Sequence, residues 1–206
     1  MLFRSGLVVD LGCGSGILAR GLCESGYSVL GVDVSPSMIK LARANAPRAR
    51  FKIASLFDVE IPACIAVTST GECINYLFGN AKNRSVKALF RRVFDAIERG
   101  GAFIFDVAEP GQVPKGQVVK SHLEGDGWAV LTEKSEAHGV LTRRIVTFRK
   151  SGQRYRRSQE VHTQRLYKSS EIATALRDVG FRVRVMRGYG SQPMLPARAA
   201  FLAKKP

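Results

Sequence analysis

The sequence predicts an α/β fold with a doubly wound, mostly parallel sheet. Three observations carry this. Short apolar runs alternate with segments of 3.6-residue periodicity through the first half of the chain, the pattern of strand–helix–strand units. The first run, Leu7-Val8-Val9, ends in Asp10-Leu11 and then Gly12, Gly14 and Gly16, a turn that opens directly into a helix. The last two apolar runs have no helical stretch between them, so they pair antiparallel.

The elements follow in order. Leu7 to Leu11 is a buried strand, and the three glycines remove the side chains that would keep a ligand off the backbone. Ile17 to Ser25 is a helix with Leu18 and Leu22 inward, ended by Gly26. Ser28 to Val32 is the second strand, ending at Asp33. Ser35 caps the next helix, with Pro36 at its first position. Ala49 to Ala54 is the third strand and Cys64 to Ser69 the fourth. Arg84 to Arg99 is an amphipathic helix whose stripe is Val86, Leu89, Phe90, Val93, Phe94 and Ile97; Gly100-Gly101 ends it. Ala102 to Val107 is the fifth strand.

From Gln117 to Tyr167 the period changes to two. Val130–Lys134, Val140–Arg149 and Gln159–Tyr167 read as antiparallel strands, with turns near Gly139 and Ser151-Gly152. Ser169 caps a last helix with Ile172, Leu176 and Val179 inward; Phe181–Met186 and Ala199–Ala203 are the closing antiparallel pair. One domain is expected over residues 1–206, with residues 117–168 inserted as a small β cap.

The glycine turn selects a ligand. A dinucleotide fingerprint spaces its glycines GxGxxG; here the third glycine comes one residue early and Ile17 follows. No GK[ST] follows either, so the phosphate-loop pattern fails. Asp10, just before the turn, repels a pyrophosphate and holds a cation. S-adenosylmethionine (SAM) carries an ammonium and a sulfonium. Asp33 lies about 20 residues beyond the glycines, where a carboxylate meets a ribose diol.

VVDLGCGSG resembles motif I of the class I SAM-dependent methyltransferases, and VDVSPSMIKLARA resembles their motif II. The resemblance spans nearly the whole chain and implies a Rossmann-like seven-stranded sheet. It implies cofactor contacts at Asp10, Gly12, Cys13 and Gly14 for the methionine end, Asp33 for the ribose, and Val34 and Met38 against the adenine. Relatives place an acidic residue after strand three; here Ser55 stands there, followed by Leu56, and both are expected adenine contacts. Strand four lacks the relatives' opening Asp, with Ile65 in its place. The stretch after it, Thr70-Gly71-Glu72-Cys73-Ile74-Asn75-Tyr76-Leu77, resembles the GECLNYL of one small-molecule subgroup. Thr70 is assigned to the cofactor, Glu72 to catalysis, and Asn75 and Tyr76 to the acceptor. His162 and Arg165, in a sheet that in relatives lies over the active site, are further acceptor contacts. The six residues before strand one are too few for the covering helical segment of relatives. Three alternatives are expected: a truncated or misassigned start, a second subunit (a homodimer) that closes the site, or an open site with weaker SAM binding.

Bulk properties bound the rest. The net charge is +15, with no run of five basic residues; the densest piece is Arg154-Tyr155-Arg156-Arg157. That charge admits an RNA methyltransferase, but no separate RNA-binding module and no NPPY-type motif follows strand four, so nucleic acid is not the favoured partner. A SAM-binding protein without catalysis is the other alternative. Cys13, Cys23, Cys64 and Cys73 lack CxxC spacing, so no metal is expected, and reduced thiols fit a cytoplasmic protein. No apolar stretch is long enough to span a membrane.

Overall fold

The computed structural model describes residues 5–77 and 85–206. β1 (Leu7–Leu11), α1 (Ile17–Glu24), β2 (Ser28–Asp33), α2 (Pro36–Asn45), β3 (Arg50–Ile53) and β4 (Cys64–Ser69) form the first half. A one-turn 3₁₀ helix (Cys73–Asn75) follows, then α3 (Val86–Ala96) and β5 (Ile97–Ala108). Four long strands come next: β6 (Val118–Gly125), β7 (Trp128–Ala137), β8 (Val140–Ser151) and β9 (Arg154–Arg165). α4 (Ser169–Val179), β10 (Arg182–Met186), the two-residue β11 (Gly188–Tyr189) and β12 (Gln192–Pro193), and β13 (Arg198–Lys204) complete the chain.

The main sheet has seven strands in the order β10-β13-β5-β4-β1-β2-β3. β1 to β5 run parallel, and β13 is antiparallel to both β5 and β10. This is the doubly wound sheet with a reversed strand that the sequence predicts. β1 sits between β2 and β4, where the chain changes direction, so ligands gather at its carboxyl end. Alternate residues supply the two faces. Val32 and Leu30 pack with the α3 and α4 side, while Val29 joins Ala19, Cys23 and Ala46 under α1. Leu89, Phe90 and Val93 of α3 are fully buried against Phe103, Phe105 and Phe201, whose rings stack at 4.3 and 4.8 Å. Each such side chain contributes roughly 1.5–3 kcal/mol of burial.

Several boundaries differ from expectation. The helix expected to reach Arg99 stops at Ala96, because Ile97 is drawn into the sheet opposite Cys64; Arg84, its expected start, lies outside the described residues. In α1 the inward residues are Ala19 and Cys23, with Leu18 and Leu22 only half-buried. Ser169 is not a cap. Lys168 occupies that position, and Glu109 Oε1 accepts from the Ser169 N–H at 2.9 Å. Tyr167 lies beyond β9, its N–H donating to Ala108 O at 3.1 Å.

The inserted sheet has four strands in the order β6-β7-β8-β9, one more than expected, and β8 and β9 are longer than expected. The missed strand, β6, is exposed along its whole length. It has no buried face to impose a hydrophobic period, and its ladder with β7 holds it through the backbone.

Candidate active site

The glycine turn is held to β2 by its own amides. Gly12 N–H and Cys13 N–H both donate to Val32 O, at 2.7 and 3.0 Å. Gly14 N–H donates to Asp33 Oδ2 and Ser35 N–H to Asp33 Oδ1, each at 2.9 Å. Ser35 Oγ then accepts from Met38 N–H, and Pro36 takes the first helical position, so the expected cap is formed. The turn, the Asp33 carboxylate and the start of α2 are therefore one rigid unit. A carboxylate has about four acceptor directions, so two remain at Asp33 for a diol.

Gly12 and Gly14 serve different ends. At Gly12 φ is +79° and an added Cβ would sit 2.4 Å from Cys73 Sγ, so this glycine allows the 3₁₀ turn to close over the cradle. At Gly14 φ is +53° and an added Cβ would meet open space, the side from which a ligand can approach. Gly12→Ala combines left-handed strain of roughly 1–2 kcal/mol with that collision. We expect at least a tenfold loss of S-adenosylhomocysteine affinity by calorimetry and a lower melting temperature; an unchanged titration would remove Gly12 from the cradle.

Asp10 is buried, and Thr68 Oγ1 donates to its Oδ1 at 2.7 Å. Burial pushes its carboxyl up to about 6; the Thr68 bond works against this and the charge of Asp33 adds to it. An anionic group in such a place awaits a cation. Val34 and Met38 beside Asp33 are 43% and 41% exposed, an apolar flank on an otherwise polar rim. Ser55 Oγ accepts from Phe57 N–H at 3.1 Å, and Leu56 O accepts from Arg92 Nη2 at 3.0 Å, so both lie in a fixed turn after β3. Thr70 O accepts from the Cys73 thiol at 3.1 Å. These residues fit an adenosyl sulfonium: a buried carboxyl at one end, a diol acceptor in the middle, and apolar contacts beyond.

The second half of the site lies where the 3₁₀ turn meets the inserted sheet. Glu72 is buried, with φ +58°, and does not stand free. Arg143 Nη2 of β8 lies 3.2 Å from its Oε2, and Arg198 Nε of β13 lies 2.5 Å from its Oε1. A carboxylate held between two guanidinium groups is fixed in place and orients its surroundings. Its backbone is fixed too: Glu72 and Gly71 N–H donate to Asp106, and Tyr189 OH donates to Asp106 Oδ2 at 2.8 Å. Tyr76 pairs with Gln164 across a bridge, and its ring meets the His162 ring edge-on at 5.7 Å.

Two expected acceptor contacts are placed elsewhere. Asn75 is fully buried with its amide spent on the backbone of β5 and β9, so it cannot reach an acceptor. Arg165 is exposed, because alternation along β9 turns Gln164 and His162 to the inner side and Arg165 outward. In their stead the structure brings in Thr68, Asp106, Arg143, Gln164, Tyr189 and Arg198. Asp106 had a readable signal, since it is the acidic residue near the carboxyl end of strand five, as Asp10 and Asp33 are of their strands.

Cys13, Cys64 and Cys73 have thiols pushed up to about 12, chiefly by burial, so none acts as a thiolate. Among the described residues no group of three His, Cys, Asp or Glu could hold a metal ion.

The sheet order and cradle define a protein of the class I methyltransferase fold. Residues 8–101 match the family model described as a methyltransferase domain. A putative methyltransferase from Geobacillus sp. strain WCH70 is 26% identical over 194 residues, 85% of this chain and 74% of that protein. A SAM-dependent methyltransferase from Clostridium acetobutylicum superposes with TM-score 0.85 at 21% identity, covering 98% of this chain and 85% of the other. A sugar N-methyltransferase from Streptoalloteichus sp. superposes with TM-score 0.78, also at 21% identity, covering 98% and 80%. These matches support a class I SAM-dependent methyltransferase with S-adenosylmethionine as its cofactor.

Proposed function

We propose that the protein methylates a small-molecule acceptor in the space between the 3₁₀ turn after β4 and the inner face of the inserted sheet, residues 117–168 acting as its cap. One observation carries this reading: Arg143, His162 and Gln164 of the sheet converge on Glu72 and Tyr76 at the carboxyl end of the central strand. A site roofed by side chains of an inserted sheet suits a small acceptor better than a polymer. The sugar N-methyltransferase of the same fold lends support to a polar small acceptor.

Asp10 and the Gly12-Cys13-Gly14 turn position the methionine end, Asp33 the ribose, and Val34, Met38, Ser55, Leu56 and Thr70 the adenine side. When bound, S-adenosylmethionine supplies a sulfonium methyl, which passes to an acceptor lone pair as the carbon–sulfur bond breaks and a neutral thioether leaves. The protein's share is alignment and exclusion of water. Glu72 is a positioning residue: with Arg143 and Arg198 it sets the wall that faces the acceptor. Four unpaired thiols agree with a reducing, cytoplasmic setting.

The test is to supply methyl-labelled SAM with a panel of hydroxylated and aminated small molecules, and with RNA. Label entering a small molecule supports the reading; label entering RNA alone overturns it. Glu72→Gln should lower kcat/KM for that acceptor at least tenfold with cofactor affinity unchanged. Intact kcat and KM would remove Glu72 from the site.

A further inference from the structure

The inner face of the inserted sheet holds more positive and donor groups than Glu72 accounts for. Lys134 of β7, Arg143 of β8 and His162 of β9 are direct cross-strand neighbours. Directly opposed residues project to one face, and from that face Arg143 reaches Glu72. The row therefore fronts the 3₁₀ turn. Lys134 is half-buried, and among the described residues it has no ion-pair partner. Two donors in the same wall are also unmet: Arg143 Nε and Gln164 Nε2, both buried, with Gln164 fully so. They are neighbours, since Arg143 Nη2 donates to Gln164 Oε1. Buried polar groups are normally paired, and both unmet atoms here are donors.

The acidic groups that face this row are engaged. Glu72 lies between Arg143 and Arg198, Glu160 Oε2 is 3.0 Å from His162 Nε2, and Glu136 accepts from the Gly111 and Val113 N–H groups. An apolar or cationic acceptor would leave the donors unmet. An acceptor-rich anion satisfies them, and Lys134 balances its charge.

We propose that Lys134, Arg143 and Gln164 form an anion subsite that holds a carboxylate or phosphate group of the methyl acceptor. This rests on the small-molecule methyltransferase reading and adds the charge class of the substrate. The consequence is an acceptor anchored at its anionic end, with its nucleophile presented toward the end of β4.

The experiment uses the full chain loaded with S-adenosylhomocysteine, titrated calorimetrically at 0.15 M salt. The probes are inorganic pyrophosphate for the phosphate source, succinate for the carboxylate source, and methyl glucoside as the neutral control. The variants are Lys134→Gln in the row and Arg154→Gln at the exposed tip of the β8–β9 hairpin. We expect one of the two anions to bind saturably and the glucoside not at all. Lys134→Gln should weaken that anion at least tenfold while Arg154→Gln leaves it within twofold. The anion that binds names the source. Equal losses in both variants would mean diffuse attraction by a +15 protein and overturn the subsite, as would saturation by neither anion. S-adenosylhomocysteine binding is read first, so its failure would overturn the methyltransferase reading, whereas anion failure with the cofactor product bound would overturn the subsite alone.

Discussion

An Asn75→Ala protein melts about 10 °C below the parent. Asn75 Nδ2 donates to Ala108 O at 3.0 Å and to Arg165 O at 2.6 Å, and its Oδ1 accepts from Ala108 N–H at 3.0 Å. One fully buried amide thus ties the 3₁₀ turn to the ends of β5 and β9. Truncation strands the Ala108 N–H and removes the Asn75 donor from Arg165 O, while Ala108 O keeps the Tyr167 N–H. Each costs roughly 1–3 kcal/mol, so the sum is about 2–6 kcal/mol. For a chain of this size each kcal/mol moves the midpoint by about 2–4 °C. Thermal unfolding followed by circular dichroism reads the effect. A shift of less than about 2 °C, one kcal/mol or less by the same scaling, would mean the amide is dispensable. The alternative role separates cleanly: an acceptor-binding Asn75 would raise KM and leave the melting temperature alone.

That residue also shows where sequence reasoning stops. The glycine turn, Asp10 and Asp33 were legible because local chemistry sets them: a strand end, a turn needing positive φ, and carboxylates at fixed spacing. The parallel character of the sheet was legible because short apolar strands alternate with helices of 3.6-residue period. Asn75 looked like an acceptor contact because its position after β4 is right; that its amide points at β5 and β9 depends on contacts 33 and 90 residues away. Glu72 is similar. Its place was readable, but its two arginine partners come from β8 and β13, and no local pattern announces such a pairing. β6 was illegible for a different reason, since an exposed edge strand carries no hydrophobic alternation. Arg165 and Gln164 show the opposite limit. The side of a strand that faces the site follows from register, and one residue of register reverses the choice.

SAM affinity falls about tenfold between pH 7 and pH 5, and Asp10→Asn abolishes the slope. The carboxyl of Asp10 is raised to about 6, chiefly by burial. A ligand that is cationic throughout this range binds best to the ionised form. With a pKa near 6, roughly a tenth of the groups are ionised at pH 5, hence the tenfold loss. The ligand-free protein responds with the opposite sign. Its folded form holds the Asp10 proton to higher pH than the unfolded chain does. This group's stabilisation is therefore complete below the unfolded value of 3.8 and lost as pH rises through about 6. Acidification thus favours the empty fold through Asp10 while it disfavours the complex, and one side chain links the two. Calorimetric titrations of SAM at pH 5, 6 and 7, on the parent and on Asp10→Asn, read both effects, and the difference between the two proteins cancels every other titrating group. Asp10→Asn should bind SAM more than tenfold more weakly than the parent at pH 7, with that gap about tenfold narrower at pH 5. Parallel pH profiles in the two proteins would show that the buried carboxyl does not meet the cation. The cradle would then have to hold its ligand through Asp33 and the apolar flank alone.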